Sequence, residues 1–335
     1  MIFALVFLTA LIVSLSLTPL AIWLAFRIGA VDQPAPRRVH LVPTARFGGL
    51  PLFFSFAAAL GVSLLFPRDD PTELTKLLGL VIGCALLFLV GAYDDLRELR
   101  AISQFTAQFL AAGITIYSGV LITELPNPFG GAPIQLPLLI AVGFTLFWIV
   151  GMVNTINWLD GLDGLASGVT ALAGAVLLIH TWRLSQFSLM LPPLALIGAV
   201  LGFLVFNRPP AKIFLGGGAY VLGLILAVLS IIGGAKVASA LLVLIIPIGD
   251  VAWQIVKRIR AGQSPFAADR GHLHHRLLDL GWSPRAVVLL YIALSAIFGA
   301  LALLLPSGIY KLIALVVISI GALAVLLRLQ DPSAK

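Results

Sequence analysis

Asn154, Asn157, Asp160 and Asp163 place two carboxamides and two carboxylates within ten residues of an otherwise strongly apolar chain. An unpaired ionisable group in lipid is expensive, so such a cluster faces water or does chemistry. Asp160 and Asp163 are three apart and share a face on a helical turn, and Gly161 and Gly164 beside them permit close backbone approach. Asp94-Asp95 closes an apolar run. Adjacent acids there mark either a wet helix end or an anionic pair that holds Mg²⁺ or activates an acidic nucleophile, because hard oxygen donors suit Mg²⁺, which shares its shell with substrate phosphates. In His272-Leu273-His274-His275-Arg276, three histidines could ligate zinc, but no Cys supports that. The neighbouring Asp269, Arg270 and Arg276 read instead as phosphate recognition. His40 beside Arg37 and Arg38 repeats the pairing of cation and imidazole, and Arg208 with Lys212, after Asn207, forms a third basic site. Carboxylates for a divalent ion, combined with cations and imidazoles for phosphates, suggest phosphoryl transfer, where catalysis is mostly positioning and charge stabilisation.

The elements that must position these groups are membrane helices. The chain has 335 residues, 60% hydrophobic and 10% charged, whereas a soluble domain carries about 25% charged residues. Apolar runs of roughly 20 residues, the length that crosses the hydrocarbon core as a helix, recur at about 2–26, 47–66, 77–93, 104–122, 135–153, 164–182, 188–206, 214–232, 237–255, 286–305 and 309–327. The expectation is an all-α, polytopic integral membrane protein of about 11 transmembrane helices, with a single membrane domain over residues 1–335. The first run lacks a basic leader and a small-residue cleavage site, so it reads as a span, not a removable signal. With that count, 16 of the 21 Lys and Arg fall on one side and five on the other. The basic side is expected in the cytoplasm, with the C-terminus there and the N-terminus outside. The candidate residues share that side, in loops at about 27–46, 94–103, 154–163, 207–213 and 256–285. The net charge of +7 therefore calls for no nucleic-acid partner. A pump or transporter would carry polar groups at mid-membrane depth, where they are sparse here. The single cysteine, Cys84, lies inside an apolar run and offers neither a disulfide nor a Cys-based metal site.

Taken together the motifs resemble those of bacterial polyprenyl-phosphate N-acetylhexosamine-1-phosphate transferases, the glycosyltransferase 4 family, whose superfamily includes phospho-MurNAc-pentapeptide transferase. The resemblance spans nearly the whole chain: Asp32-x-Pro34 with Arg37-Arg38-x-His40 and Thr44-x-Arg46-x-Gly48-Gly49; Asp94-Asp95 with Gln108; Asn154-x-x-Asn157-x-x-Asp160-Gly161-x-Asp163-Gly164; Asn207-x-x-Pro210-Ala211-Lys212-x-Phe214-x-Gly216; and Pro247-x-x-Asp250 with Asp269-Arg270-x-His272-Leu273-His274-His275-Arg276. His-Leu-His-His-Arg is similar to the branch that uses simple UDP-N-acetylhexosamines. The resemblance implies transfer of N-acetylhexosamine-1-phosphate, most simply GlcNAc-1-phosphate, from the UDP-sugar to undecaprenyl phosphate. UMP is released, Mg²⁺ or Mn²⁺ is required, and the step starts cell-envelope polysaccharide synthesis at the bacterial inner membrane. It implies Asp94, Asp95 and Asp160 as metal ligands, with Asp94 and Asp95 also orienting the lipid phosphate. It places Asn154, Asn157, Asp160, Gly161 and Asp163 at the uridine, flanked by Asn207 and Phe214. His272, His274, His275 and Arg276 would grip the diphosphate and sugar, and Arg37, Arg38, His40, Arg46, Lys212, Asp269 and Arg270 would contact substrate. Homodimers, common in the superfamily, are a further expectation.

One departure bears on the metal. In the family an Asp, regarded as a principal Mg²⁺ ligand, follows Phe-Leu/Met-Gly. Here Phe214-Leu215-Gly216-Gly217-Gly218-Ala219-Tyr220 contains no acid. Counting from Asn207 puts Gly217 in its place; counting back from Leu222-Gly223 leaves the chain one residue short. Either way the expectation is weakened metal binding and low transferase activity, with a nucleotide-sugar or lipid-phosphate binder as the alternative. An Asp restored at 217, or inserted after Gly216, is expected to raise Mg²⁺-dependent UMP release. Ala45 before Arg46, where the family often has Pro, and Gln104, where it often has Lys, are smaller departures.

Overall fold

The computed structural model describes residues 1–34, 42–68, 70–232, 237–264, 271–306 and 308–328. Its helices are α1 (Ile2–Ile28), α2 (Gly49–Ser63), α3 (Glu73–Arg97), α4 (Ala101–Tyr117), α5 (Leu138–Leu159), α6 (Leu165–Arg183), α7 (Leu191–Asn207), α8 (Gly218–Ile231), α9 (Val237–Val243), α10 (Ile245–Arg260), α11 (Leu273–Asp279), α12 (Pro284–Leu304) and α13 (Ile309–Arg328). Every apolar segment expected from the sequence falls on a helix. Among the described residues six helices are long and apolar enough to cross a membrane, or seven if the bent pair α9–α10 counts as one, against the eleven expected. The difference is one of length: α2, α8 and the apolar run Ile309–Ala324 are short, and α4 has 17 residues. α9 and α10 meet at an 80° bend.

Close packing in this bundle depends on small residues, which let helix backbones approach where lipid offers no hydrophobic drive. The buried face of α1 reads Val6, Ala10, Ser14, Thr18, Ala21 and Ala25. α7 meets it through Gly198 and Gly202, where an added Cβ would lie 2.5 Å from Phe7 O and 2.8 Å from Leu11 O. Ser14 Oγ donates to Ala199 O at 2.7 Å across the same contact. α8 is the central element, with all of its residues buried, as expected of a helix apolar on every face. It packs on α5, where Trp148 Nε1 donates to Ser230 Oγ at 2.9 Å.

Two small sheets cap the bundle. β1 (Val31–Asp32), β2 (Thr44–Arg46) and β5 (Ile213–Phe214) form one, and β3 (Glu124–Leu125) with β4 (Ile134–Gln135) forms the other. β2 pairs antiparallel with β1 and parallel with β5, in the register Ala45 to Ile213 and Arg46 to Phe214. These strands were not anticipated in an all-α chain; they are two or three residues long, and the β2–β5 pairing stitches two distant loops together.

Candidate active site

The site forms where that first sheet meets the ends of α3, α5 and α11. Pairing of Arg46 with Phe214 brings the segment Arg46–Gly49 against the turn Phe214–Gly218. Gly48 N donates to Phe214 O at 3.2 Å. A Cβ on Gly48 would stand 2.8 Å from that oxygen, and one on Gly218 2.8 Å from Gly49 N. Only glycines permit this approach. The turn thereby carries Arg46 to α3, where its Nε lies 3.1 Å from Asp95 Oδ1.

Asp94 and Asp95 are adjacent on α3 and so point about 100° apart. Asp94 Oδ1 accepts from Leu99 N at 2.6 Å and from Gln104 Nε2 at 3.1 Å, and its Oδ2 accepts from the Tyr220 hydroxyl at 3.2 Å. Asp95 accepts from Gly217 N, at 3.0 Å on Oδ1 and 3.2 Å on Oδ2. The two acids do not converge: Asp94 ties the α3–α4 turn to α8, whereas Asp95 braces Arg46 and the glycine turn. Gln104 and Tyr220 were missed as partners because neither polar side chain bears on Asp94 until the helices are packed.

Asp160 follows the last turn of α5 and faces the same glycine turn. Its carboxyl is pushed up to about 7 by burial and by the neighbouring Asp163 charge, against the lowering effects of Arg46 and the Gly216 amide. Asp163 Oδ2 accepts from Ala211 N at 2.8 Å and pins the loop before β5. Asn207 is buried, donating through Nδ2 to Ile213 O at 2.9 Å and accepting from Ser167 Oγ at 2.7 Å. Its principal job is to hold β5 against α6.

Across the site, α11 presents the histidines. His272 Nδ1 lies 2.9 Å from Asp250 Oδ2, and Leu273 N donates to Asp250 Oδ1 at 2.9 Å. Asp250, from α10, therefore both orients an imidazole and caps the start of α11. It lacked a site role in the sequence reading because its partner lies 22 residues away. His274 is buried with no hydrogen-bond partner for either ring nitrogen among the described residues. Burial, with His275 and His272 nearby, holds it well below the usual imidazole range. Its ring rests on Gly161: a Cβ there would lie 2.2 Å from His274 Nε2. Gly161 thus makes room for an imidazole, a second reason for glycine beside its place at the cavity. Trp158 packs against His272 at 5.9 Å between ring centroids, with the Arg258 guanidinium 5.6 Å from the indole.

These walls enclose a cavity of about 660 Å³ lined by, among others, Arg46, Asn157, Asp160, Gly161, Asp163, Phe214 and His275. That volume suits a small-molecule ligand of nucleotide size. Asp32, Asn207, Gly216 and Arg285 are also in the lining. Arg285 is a cation that the sequence reading assigned to no role. Several expected contacts lie elsewhere. Asn154 is buried away from the cavity, paired with Gln108 (Nδ2 to Oε1, 2.6 Å) and Val150 O. Lys212 is exposed and outside the lining. His272 and His274 stand behind His275, and Arg276 Nε donates to Gly271 O at 2.8 Å. Arg37, Arg38, His40, Asp269 and Arg270 lie outside the described residues.

The three acids expected to hold a divalent ion do not form one donor set. Asp94 is turned to other partners, and Asp95 is engaged by Gly217 N and Arg46. Among the described residues no three His, Cys, Asp or Glu side chains are grouped for a metal. Gly217 also cannot carry the absent acid, since its Cβ would lie 2.3 Å from Gly91 Cα and 2.4 Å from Gly91 C. The residues present do not fit a resident Mg²⁺ or Mn²⁺ held by the protein's own acids.

Residues 77–234 match the family description Glycosyl transferase family 4. The chain is 32% identical to a probable undecaprenyl-phosphate N-acetylglucosaminyl 1-phosphate transferase of Bacillus subtilis, over 90% of this chain and 84% of that protein. It is 36% identical to a decaprenyl-phosphate N-acetylglucosaminephosphotransferase of Mycobacterium tuberculosis, over 98% and 90%. A phospho-N-acetylmuramoyl-pentapeptide-transferase of Anoxybacillus flavithermus is 30% identical over 77% and 82%.

Proposed function

The chain belongs to glycosyl transferase family 4, and on that premise we propose that it transfers N-acetylglucosamine-1-phosphate from a UDP-sugar to a polyprenyl phosphate at the cytoplasmic face of a bacterial inner membrane. The observation that carries this reading is the composition of the cavity. Carboxamide, carboxylate and glycine (Asn157, Asp160, Gly161 and Asp163) form one wall, and Arg46, His275 and Arg285 bring cationic or imidazole groups to the same space. The first set suits uridine, whose N3–H needs an acceptor. The second suits a diphosphate, which needs charge-assisted donors. The relatives' names support the lipid acceptor and the N-acetylglucosamine phosphate. The excess of Lys and Arg on the loops bearing the site supports the cytoplasmic orientation.

In this reading an oxygen of the lipid phosphate attacks the β-phosphorus of the UDP-sugar. A new P–O bond forms, the bond from that phosphorus to the bridging oxygen breaks, and UMP departs with the bridging oxygen. A phosphate monoester is already largely ionised at neutral pH, so no strong base is needed, and the protein's task is alignment and charge stabilisation. Asp95 holds Arg46 toward the phosphates, Asp160 and Asn157 hold the base, and His275 and Arg285 face the diphosphate from the opposite wall. Asp250, His272 and His274 support His275 from behind. Purified protein given UDP-N-acetylglucosamine, undecaprenyl phosphate and Mg²⁺ is expected to release UMP and form a lipid-linked sugar. Nucleotide binding without lipid product would replace this reading with that of a binding protein.

A further inference from the structure

We propose that Arg46 is the resident cation of this site, lying with Asp95 and Asp160 where the family resemblance puts a protein-held divalent ion. The inference rests on the transferase reading and concerns how its charge is balanced.

Three independent contacts lead to it. First, the place of the absent acid is sterically closed. Gly217 backs onto Gly91 so tightly that a Cβ on either residue would enter the other's backbone, at 2.3 Å from the Gly217 side and 2.7 Å from the Gly91 side. The α3–α8 crossing therefore has no room for a side chain at 217. Second, the amide of the turn is used to hold an acid. Gly217 N donates to Asp95 Oδ1 and Oδ2. Even Gly216 is confined, since its Cβ would lie 2.3 Å from Asp95 Oδ1. Third, the sheet fixes Arg46 at this spot. The parallel register to Phe214 and the Gly48 N to Phe214 O bond set its backbone, and Nε meets Asp95 Oδ1 at 3.1 Å. The Asp95 side chain there is 1% exposed and that of Arg46 31%.

The Arg46 guanidinium meets the Asp95 carboxylate directly, and Asp160 lines the same cavity. The Arg46 side chain, 31% exposed, also lines the cavity. A guanidinium presents several donors in a fixed fork that matches phosphate. It is held from behind by one acid and open in front to a substrate phosphate, so it can supply the positive charge that a divalent ion would otherwise bring. A metal arriving on the diphosphate itself would belong to the substrate.

The test separates this claim from the transferase reading. Full-length protein stripped with EDTA is titrated with Mn²⁺ in the absence of nucleotide, and free Mn²⁺ is followed by electron paramagnetic resonance. Wild type is expected to leave the signal at full amplitude. Arg46→Gln frees Asp95 and Asp160, and is expected to reduce the signal by up to one Mn²⁺ per chain. The same variant is expected to bind UDP-N-acetylglucosamine in EDTA about 10- to 150-fold more weakly, the loss typical of a charged hydrogen-bond partner. Arg46→Lys keeps the charge and controls for folding; it should bind no Mn²⁺ and retain more nucleotide affinity than Arg46→Gln. Stoichiometric Mn²⁺ binding by nucleotide-free wild type would overturn the proposal, as would unchanged nucleotide affinity in Arg46→Gln. Absence of lipid product under every metal condition would instead sink the transferase reading and leave the Mn²⁺ result standing.

Discussion

Replacing Gly217 by Asp tests the sterics of the site against the expectation from sequence that this change should restore activity. The backbone at 217 is no obstacle, because φ −58° and ψ −12° lie in the right-handed helical region open to any residue. The obstacle is Gly91. The new Cβ would lie 2.3, 2.4 and 2.6 Å from its Cα, C and O atoms, whereas unstrained carbon contacts lie near 3.5–4.0 Å. α3 and α8 would have to separate by roughly 1 Å, and overpacking of a well-filled interior typically costs about 1–3 kcal/mol. The carboxylate adds a further cost of several kcal/mol if it is buried without a partner. Gly217→Ala isolates the first contribution and should lower thermal stability in detergent. Gly217→Asp should lower it further and reduce the yield of monodisperse protein. Gly91→Ala approaches the same contact from the other side, so the Gly91→Ala/Gly217→Ala double variant should be strongly non-additive. The reasoning is refuted if Gly217→Asp melts with the wild type and releases UMP faster in Mg²⁺.

Three further outcomes are expected. Gly161→Ala should push the His274 ring away from a Cβ that would otherwise stand 2.2 Å from Nε2. The ring sits at the end of a side chain that can shift, so we expect a folded protein with turnover reduced about tenfold, and wild-type kinetics would argue against the packing described. Asp250→Asn should preserve the bond to Leu273 N but weaken the hold on His272 Nδ1. Its kcat should fall about 10–100-fold with a shifted pH profile while KM changes little; a uniform loss of folded protein with an unmoved profile would indicate a purely structural residue. The Asp160 carboxyl, pushed up to about 7, should titrate in nucleotide binding. If the carboxylate accepts the uracil N3–H, affinity rises with pH and levels off above 7, falling about tenfold per unit below that. The stability effect has the opposite sign: the folded protein holds this proton above pH 4, where the unfolded chain has lost it, so the group lowers stability as pH rises from about 4 to 7. Asp160→Asn should flatten both curves, although Asp163 and His275 share the cavity, and a binding profile unchanged by the substitution would remove Asp160 from nucleotide recognition.

The helices were legible because each apolar run is long and uninterrupted, and all eleven runs fall on helices. Which of them cross the membrane was less so, since α2 and α8 give up residues at one end to the glycine contacts around the site. The cavity residues from Asn157 to Asp163 were readable from their density of polar groups in a greasy chain. Asn154 pairs with Gln108, a partner that its type and spacing in the sequence do not distinguish from a ligand. Asp94 and Asp95 meet different partners because neighbours on a helix diverge, which adjacency in the sequence does not reveal. Asp250 and Tyr220 acquire their roles through contacts 22 and 126 residues away, which no local pattern reveals. The absence of an acid at Gly217 was plain in the sequence, but its cause, the backbone of Gly91, was not.

The central claim is that this cavity passes a phosphate together with a sugar to a lipid. The most direct measurement supplies UDP-N-acetylglucosamine carrying a radiolabelled β-phosphorus, together with undecaprenyl phosphate, to the purified protein, and locates the label after extraction. The account predicts label in the lipid fraction, in step with unlabelled UMP. Label that remains on UDP while the sugar alone reaches the lipid, or that stays on intact UDP-sugar bound to protein, would contradict it.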